Sequence, residues 1–351
     1  MTIKEILENA VAKKASDIFI ISGAKMGLRI SGRIVSEGEK TLTSADAESY
    51  IREVFELADL PEIYNVKDEG EVDFSFSLAG IGRFRANVYR QRGSLAIVLR
   101  YVMFDLPDYK SLNIPQEVIE LGDISKGIVL ITGAAGSGKS TTLSCIIDHI
   151  NSSRNCHIIT IEDPIEFLHR HKKSIISQRE INIDTKNYIT ALRAALRQSP
   201  NVILLGEMRD YDTINTAMTA AETGQLILST LHTTGAANTI DRIIDVFPPN
   251  QQHQIRVQLS MVLQAVVSQQ LLPATDGTLI PAFEIMLVNN AIKTMIRESK
   301  THQIDTVIQS SDGMQSMDLS IMQLYKDGKI SLETAIEFSS NPEIMERRIS
   351  K

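Results

Sequence analysis

Residues 133–141 read GAAGSGKST, and they stand between an apolar stretch, GIVLIT (127–132), and a segment of helical character, TLSCIIDHI. Residues 133–140 match the pattern G-x-x-x-x-G-K-[ST] of a phosphate-binding loop. Its glycines let backbone N–H groups face phosphate oxygens, and the helix that follows points the positive end of its dipole at the anion. A buried strand before the loop and a helix after it are the context that this motif requires. The sequence therefore predicts an α/β domain that binds and hydrolyses a nucleoside triphosphate.

The polar side chains of this loop have separate tasks. Lys139 supplies a positive charge to the β- and γ-phosphates, so we count it among the catalytic residues, and the Ser140 hydroxyl reaches Mg²⁺. The predicted nucleotide-binding residues of the loop are Gly133, Ala134, Ala135, Gly136, Ser137, Gly138, Lys139, Ser140 and Thr141.

The composition is that of an ordinary globular protein. The chain has 351 residues, of which 43% are apolar and 23% charged, which is enough for two domains with substantial cores. It has no Trp, 5% aromatic residues and a net charge of −7, which argues against a nucleic-acid partner. Two cysteines, Cys145 and Cys156, are too few for a disulfide framework or a four-cysteine zinc site, so we expect a reducing compartment and no structural metal. We expect neither a signal peptide nor a transmembrane segment.

The first third of the chain predicts a small α+β domain with an antiparallel sheet, over residues 1–102. Apolar residues recur at helical spacing in 3–14 and again from Thr43 to Phe55, where Ser44 is the expected N-cap. Strand-like segments follow the order 17–22, 28–35, 71–78, 82–91 and 94–102. Residues 103–115 contain two prolines and no periodicity, so we predict a linker there.

The pattern changes at residue 116, where strands and helices begin to alternate and predict a domain over 116–351. Its continuous apolar strands indicate a parallel sheet that is buried on both faces. After FPPN (247–250) we predict a long helix to about Leu271, a hairpin at Asp276-Gly277, and several helices from Ala291 onward. The other predicted strands are 127–133, 156–163, 201–207 and 225–233, and the helices are 139–151, 185–198 and 212–224.

Two acidic stretches offer the carboxylates that hydrolysis requires, one to position Mg²⁺ and one to orient or deprotonate water. Each follows a predicted strand of the sheet that carries the loop, although acidic residues at strand ends are often merely solvated. The candidates are Glu162, Asp163 and Glu166 in ITIEDPIEF (159–167), and Glu207 in VILLGEMRD (202–210).

Histidine and arginine candidates are less specific. His232 ends another strand of the sheet, where a histidine often has a structural role. Arginines would neutralise the γ-phosphate in the transition state, but each candidate is also consistent with an ordinary surface arginine. His169 and His171, in LHRHKK, fit a solvated basic turn better than a metal site. The arginine candidates are Arg83, Arg85, Arg90, Arg92, Arg193, Arg197 and Arg242.

Several motifs in order along nearly the whole chain resemble the family of type IV pilus retraction ATPases, the PilT family. They are ASDIFI, GAAGSGKSTT, TIEDPIEF, ILLGEMRD, TAAETG, STLHTTGAANTIDRIIDVFP and GMQSMD (313–318). The most discriminating one is AIKTMIRE (291–298), which is similar to the family's AIRNLIRE motif, linked to retraction.

The resemblance implies a homohexameric ring of subunits, each with a PAS-like N-terminal domain and a RecA-like P-loop ATPase domain, that binds ATP and Mg²⁺. Glu166 is then the catalytic base, Glu207 the Walker B carboxylate that acts on Mg²⁺ through water, and His232 a γ-phosphate sensor. Two further pairs of residues have implied roles: arginines that reach the nucleotide (Arg83, Arg85) and arginines that link motion within the ring (Arg197, Arg242).

The implied function is a motor ATPase for pilus retraction and twitching motility, in the cytoplasm and peripheral to the inner membrane. Its expected partners are copies of itself, an inner-membrane platform protein and other pilus ATPases. An assembly ATPase of the competence or type II secretion type is the alternative. Assembly and secretion ATPases generally carry an extra N-terminal domain and often a four-cysteine element, and AIKTMIRE also speaks against them. A nucleotide-regulated scaffold that hardly hydrolyses ATP is a further alternative.

Three features depart from the family pattern. Ala134 and Ala135 replace the usual Pro and Thr, but the loop binds through its backbone, so binding should survive. Gln225 stands where the first histidine of the histidine box is common, and glutamine does not titrate. AIKTMIRE differs from AIRNLIRE at Lys293, Thr294 and Met295 while keeping its amphipathic character, so we expect a contact surface there.

Overall fold

The computed structural model describes residues 2–30, 32–60, 66, 70–102 and 106–349. It divides into two compact units: Met1–Asp105 with Glu166–Leu168, and Leu106–Ile165 with His169–Lys351. The first residues of the predicted linker, 103–105, lie outside the described residues. From Leu106 to Ile114 the chain is irregular and packs apolar side chains on a core of the second unit.

The first unit is an antiparallel sheet with helices on one face, as predicted. The sheet order is β3-β2-β1-β6-β5-β4, and its buried side chains form one core with those of the helices at residues 3–12 and 44–57. Three of the predicted strands end where the sequence places them. The elements are α1 (Ile3–Ala12), β1 (Asp17–Ile21), β2 (Lys25–Ile30), β3 (Arg33–Thr41), α2 (Ser44–Leu57), β4 (Glu71–Leu78), β5 (Gly82–Gln91) and β6 (Ser94–Val102).

Capping boxes fix the starts of α1 and α2. Thr2 and Glu5 form one at α1. The N-cap of α2 is Thr43 rather than the predicted Ser44, because the Thr43 side chain accepts from Asp46 N–H while the Asp46 carboxylate accepts from Thr43 N–H. In each capping box the acidic residue at the third helical position bonds to the N-cap residue and so fixes which residue is the N-cap. In α2 this residue is Thr43, and Ser44 is the first helical residue.

The second unit contains the predicted mostly parallel sheet, in the order β13-β12-β7-β11-β10-β8-β9. Its strands are β7 (Gly127–Thr132), β8 (His157–Glu162), β9 (Ile175–Glu180), β10 (Val202–Leu205), β11 (Leu226–Leu231), β12 (Leu263–Pro273) and β13 (Leu279–Leu287). Its helices are α3 (Gln116–Ile119), α4 (Lys139–Ser153), α5 (Tyr188–Ala195), α6 (Tyr211–Glu222), α7 (Ala236–Asp245), α8 (Pro249–Val262), α9 (Asn290–Arg297), α10 (Ile304–Ser310), α11 (Met317–Lys326), α12 (Leu332–Glu337) and α13 (Pro342–Ile349).

Burial on both faces explains the continuous apolar strands. Along β7, Ile128 and Leu130 belong to one core, while Val129 and Ile131 belong to the core on the other face. Successive side chains of a strand point to opposite faces, so a strand covered on both sides is apolar at nearly every position. The sequence pattern therefore predicted the sheet type correctly.

The structure corrects two assignments in this unit. The predicted helix from 247–250 to Leu271 ends at Val262, and β12 begins at Leu263 and pairs in parallel with β7. The predicted hairpin at Asp276-Gly277 joins β12 to the antiparallel β13, as expected. Strand β9, next to β8, has no counterpart in the sequence-based prediction.

Across the part of the chain that the structure describes, no helix combines the length and the apolar surface needed to cross a lipid bilayer.

Candidate nucleotide site

The Gly-rich loop joins β7 to α4 at the carboxyl edge of the parallel sheet, as predicted. Gly133, Gly136 and Gly138 have φ values of 143°, 78° and 87°. At Gly133 a Cβ would also lie 2.3 Å from the carbonyl oxygen of Gln269 and 2.7 Å from Ser137 Oγ. Gly133 is therefore required by both its backbone conformation and its close contact with β12.

Lys139 is the first residue of α4 and is 7% exposed. Its ammonium donates to the carbonyl oxygens of Gly133, at 2.9 Å, and Ala134, at 2.8 Å. The charge therefore lies inside the loop at the positive end of the helix dipole, which is where a phosphate group binds. Ser140 and Thr141 follow on the first helical turn and are half-buried, and Ala134 and Ala135 are exposed at the tip of the loop.

Side chains of β12 support this loop from below. The Thr142 hydroxyl donates to Gln269 Oε1 at 2.7 Å, and Thr132 and Ser268 share a hydrogen bond of 2.8 Å. Ser268 Oγ also accepts from the backbone N–H of Gly235, at the start of α7. Gln269 and Ser268 were not predicted, because the sequence reading placed them on a helix and so gave no reason to bring them to the loop.

Glu207 follows β10 at the same edge of the sheet and meets a histidine and an arginine. Its Oε2 lies 2.7 Å from an Arg209 nitrogen and 3.8 Å from His232 Nε2. Burial and the positive charges of Lys139 and Arg209 lower the pKa of His232, and Glu207 only partly offsets them. The structure thus brings together three predicted residues, Lys139, Glu207 and His232, and adds Arg209, whose sequence signal was its place in GEMRD.

The first acidic stretch lies at the end of β8. The Thr160 hydroxyl donates to Glu162 at 2.6 Å, and the Asp163 side chain is exposed. Glu166 is exposed as well, and it groups with the first unit. Its role as the catalytic base remains a prediction.

The predicted arginines occupy different places. Arg242, on α7, lines a cavity of about 290 Å³ together with Arg209 and His232. Arg197 is exposed beyond the end of α5 and donates to the carbonyl oxygen of Arg193. The last pair, Arg83 and Arg85, lies on β5 of the first unit. Their roles toward a nucleotide or a ring remain predictions.

Gln225 lies at the opposite edge of the sheet from His232. It precedes β11, where its carbonyl oxygen accepts from Gly127 N–H and its side chain accepts from the Thr223 hydroxyl. His232 follows the same strand, so the two residues are separated by roughly 23 Å of extended chain. Replacement of a histidine by Gln225 therefore removes no group from the phosphate loop.

The AIKTMIRE motif forms α9, capped by the side chain of Asn289. The apolar face of this amphipathic helix packs into the interior of the unit, where Ile292 and Ile296 are fully buried in a core. Just after the motif, the buried Thr301 donates to the carboxylate of Asp241 on α7. The motif thus offers only its polar face, with Lys293, Thr294 and Arg297, as a contact surface.

The basic turn at 169–173 is built into the fold rather than simply solvated. Burial lowers the pKa of His169 to about 4. His171 Nδ1 accepts from Ile176 N–H, and Lys172 pairs with Asp148 at 2.7 Å. In the described part of the chain, no three His, Cys, Asp or Glu side chains cluster to hold a metal ion.

A cavity of about 490 Å³ adjoins the helix side of the loop. Gly138, Thr141 and Thr142 form its wall toward the Gly-rich loop, and its other walls come from Ser111–Ile114 and the β12–β13 hairpin, including Asp276 and Thr278. Its volume falls in the range of small-molecule sites.

A parallel sheet whose carboxyl edge holds a Gly-rich loop, a buried lysine and a carboxylate is typical of P-loop ATPases. The model of the type II/IV secretion system protein family matches residues 1–305. The type IV pilus retraction ATPase PilT of Pseudomonas aeruginosa is 39% identical over 98% of this chain and 99% of that protein. A twitching motility protein of Neisseria gonorrhoeae is 46% identical over 78% of this chain and 74% of its own length. A crystal structure of the pilus retraction motor PilT with bound ADP has 44% identity and a TM-score of 0.90, and 99% of each chain is covered.

The chain therefore belongs to the type II/IV secretion system protein family, and within it to the PilT-type ATPases. The predicted RecA-like fold is confirmed, and the PAS-like description of the first unit remains a prediction.

Proposed function

We propose that this chain is an ATP-hydrolysing motor that powers the retraction of type IV pili. The observation that carries the proposal is the end-to-end agreement with a retraction ATPase, over 98% of this chain and 99% of that protein. Assembly motors also have a phosphate-binding loop, so the loop alone would not distinguish them. The sequence agreement with the retraction ATPase extends along both units of this chain, well beyond the loop. The buried ammonium of Lys139 inside the Gly-rich loop further supports nucleotide binding.

ATP is the substrate in this proposal. The N–H groups of the loop and the ammonium of Lys139 hold the phosphates. Glu166 takes a proton from the attacking water, and the neutral imidazole of His232 senses the γ-phosphate. The cavity beside Thr141 offers room for the nucleoside.

The residues present also fit Mg²⁺. The hydroxyl of Ser140 and the carboxylate of Glu207, which acts through water, are the hard oxygen ligands that this ion prefers. The position of Glu207 supports this role, because its Oε2 lies 3.8 Å from His232 Nε2 at the edge of the sheet that also carries the loop. When bound, the ion supplies positive charge to the β- and γ-phosphates.

The working assembly is a homohexamer at the cytoplasmic face of the inner membrane, where it acts on a platform protein and alongside other pilus ATPases. Arg83 and Arg85 reach the nucleotide, and Arg197 and Arg242 link neighbouring subunits. The exposure of Arg197 and Arg242 leaves both available for such contacts.

The test is deletion of the gene in the bacterium that carries it, with surface pili counted by electron microscopy and twitching measured on agar. A retraction motor predicts many pili and no twitching. Cells without pili would instead identify an assembly motor.

Complementation with the Glu166→Gln allele separates a motor from a scaffold. A motor requires hydrolysis, so this allele should fail to restore twitching while the wild-type allele restores it. Rescue by Glu166→Gln would show that a nucleotide-regulated scaffold is sufficient.

A further inference from the structure

Tyr188 lies at the acidic edge of the sheet, which we define as Glu162, Asp163 and Glu207. It is the first residue of α5, and its ring packs partly buried against a core of the second unit. Its hydroxyl oxygen lies 2.6 Å from the point that a Cβ on Gly206 would occupy. Gly206 directly precedes Glu207, so the hydroxyl covers the turn from which this carboxylate projects.

The turn beneath Tyr188 is fixed on both sides. Gly206 N–H donates to the carbonyl oxygen of Ile161 at 2.8 Å, and the carbonyl oxygen of Gly206 accepts from the Thr230 hydroxyl. Gly206 does not have a positive φ, so its backbone conformation does not require a glycine. Its lack of a side chain instead makes room for the phenol, which is a packing reason for glycine at this position.

The surroundings of the hydroxyl are negatively charged. Burial raises the pKa of Tyr188, and Glu207, Asp163 and Glu162 raise it further, so the phenol keeps its proton. The hydroxyl makes no hydrogen bond to another residue that the structure describes. A neutral O–H donor therefore lies over the turn that carries Glu207, whose carboxylate can only accept.

We propose that Tyr188 is a positioning residue for ATP hydrolysis, whose O–H group donates through one water molecule to the acidic edge and holds Glu207 in its working orientation. This inference rests on the proposed ATPase function. The alternative is that Tyr188 acts only by packing its ring over Gly206. The two roles separate experimentally, because phenylalanine keeps the ring and removes only the donor.

The experiment measures steady-state ATP hydrolysis by purified full-length protein with Mg²⁺, for wild type and Tyr188→Phe. Loss of a hydrogen bond to a charged group predicts a fall in kcat of about 10-fold or more, with KM and the thermal midpoint unchanged. The matched control is Tyr211→Phe, which removes another tyrosine hydroxyl at the start of a helix, one that donates to Gln251. It should hydrolyse ATP at the wild-type rate.

Gly206→Ala provides a second, independent test. Its Cβ would collide with the Tyr188 hydroxyl at 2.6 Å, whereas the next atoms, Ile161 O and Tyr188 Cζ, lie at 3.4 Å. Gly206→Ala should therefore lower kcat in the wild type and add little in the Tyr188→Phe background.

Wild-type kcat in Tyr188→Phe, or a change confined to KM or to the thermal midpoint, would overturn the positioning role. Equal additional losses from Gly206→Ala in both backgrounds would overturn it as well. Absence of hydrolysis by the wild-type protein would instead refute the proposed ATPase function.

Discussion

The close contact between Gly133 and β12 makes Gly133→Ala a quantitative test of the loop geometry. A non-glycine residue at positive φ costs about 1 to 3 kcal/mol, and forcing an atom into a filled space costs about 1 to 3 kcal/mol more. The second cost applies because a Cβ at residue 133 would lie 2.3 Å from the backbone oxygen of Gln269, which cannot rotate away. We therefore expect a destabilisation of about 2 to 6 kcal/mol.

Gly136→Ala is the matched control, since Gly136 lies in the same loop at a φ of 78° and has no atom within 4 Å of its Cβ position. It carries only the backbone cost, about 1 to 3 kcal/mol. The assay is thermal unfolding of both variants under identical conditions, where each kcal/mol lowers the midpoint by about 2 to 4 °C for a unit of this size. Gly133→Ala should unfold several degrees below Gly136→Ala. Equal midpoints would show that the loop does not rest on β12 as described.

Three further predictions concern the chemistry of the site. Lys139→Ala should abolish binding of a fluorescent ATP analogue while leaving the circular dichroism spectrum folded; retained binding would contradict the loop assignment. Glu166→Gln should slow hydrolysis by about 100-fold or more and leave nucleotide affinity intact; an unchanged turnover would remove Glu166 from the role of base. The lowered pKa of His232 means that the folded state binds its proton more weakly than the unfolded chain, so this residue costs stability as the pH falls below about 6.5 and none at higher pH. His232→Gln should therefore lose less stability than the wild type in urea titrations between pH 7.5 and 5, and parallel losses would contradict the lowered pKa.

Local patterns were sufficient for much of the fold. Glycines at 80, 82 and 93 separate the strands of 71–78, 82–91 and 94–102, and β5 alternates in burial along most of its length, so the sequence alone places these strands. The glycines Gly133, Gly136 and Gly138 predict the conformation of the phosphate loop, because glycine adopts positive φ more readily than any other residue. These features depend on neighbours in the sequence, which is why they could be predicted.

The errors arose where distant contacts decide the structure. The segment LQAVVSQQLL (263–272) continues the polar and apolar spacing of α8 without a Gly or Pro, and its pairing with β7 and β13 makes it a strand. Tertiary pairing overrides local propensity in such a segment. The error also hid Gln269, since a residue assigned to a helix could not be placed beneath the loop.

Contacts between site residues that are distant in the sequence could likewise not be predicted. Tyr188 precedes Gly206 by a full helix and strand, and no spacing rule connects them. His232 and Glu207 were both named, but only the structure shows that Arg209 shares the carboxylate with the histidine.

The burial of Ile292 and Ile296 has a consequence for genetics. A screen for loss of twitching would recover changes at these two positions simply because the variant protein fails to accumulate. Such alleles would be recessive and temperature-sensitive, and protein levels in the cell would fall with the phenotype. In the proposed homohexamer, changes at Lys293 or Arg297, which lie on the polar face of the same helix, would leave abundant protein that still enters mixed assemblies. Dominance over the wild-type allele is therefore the trait that marks the functional half of the motif.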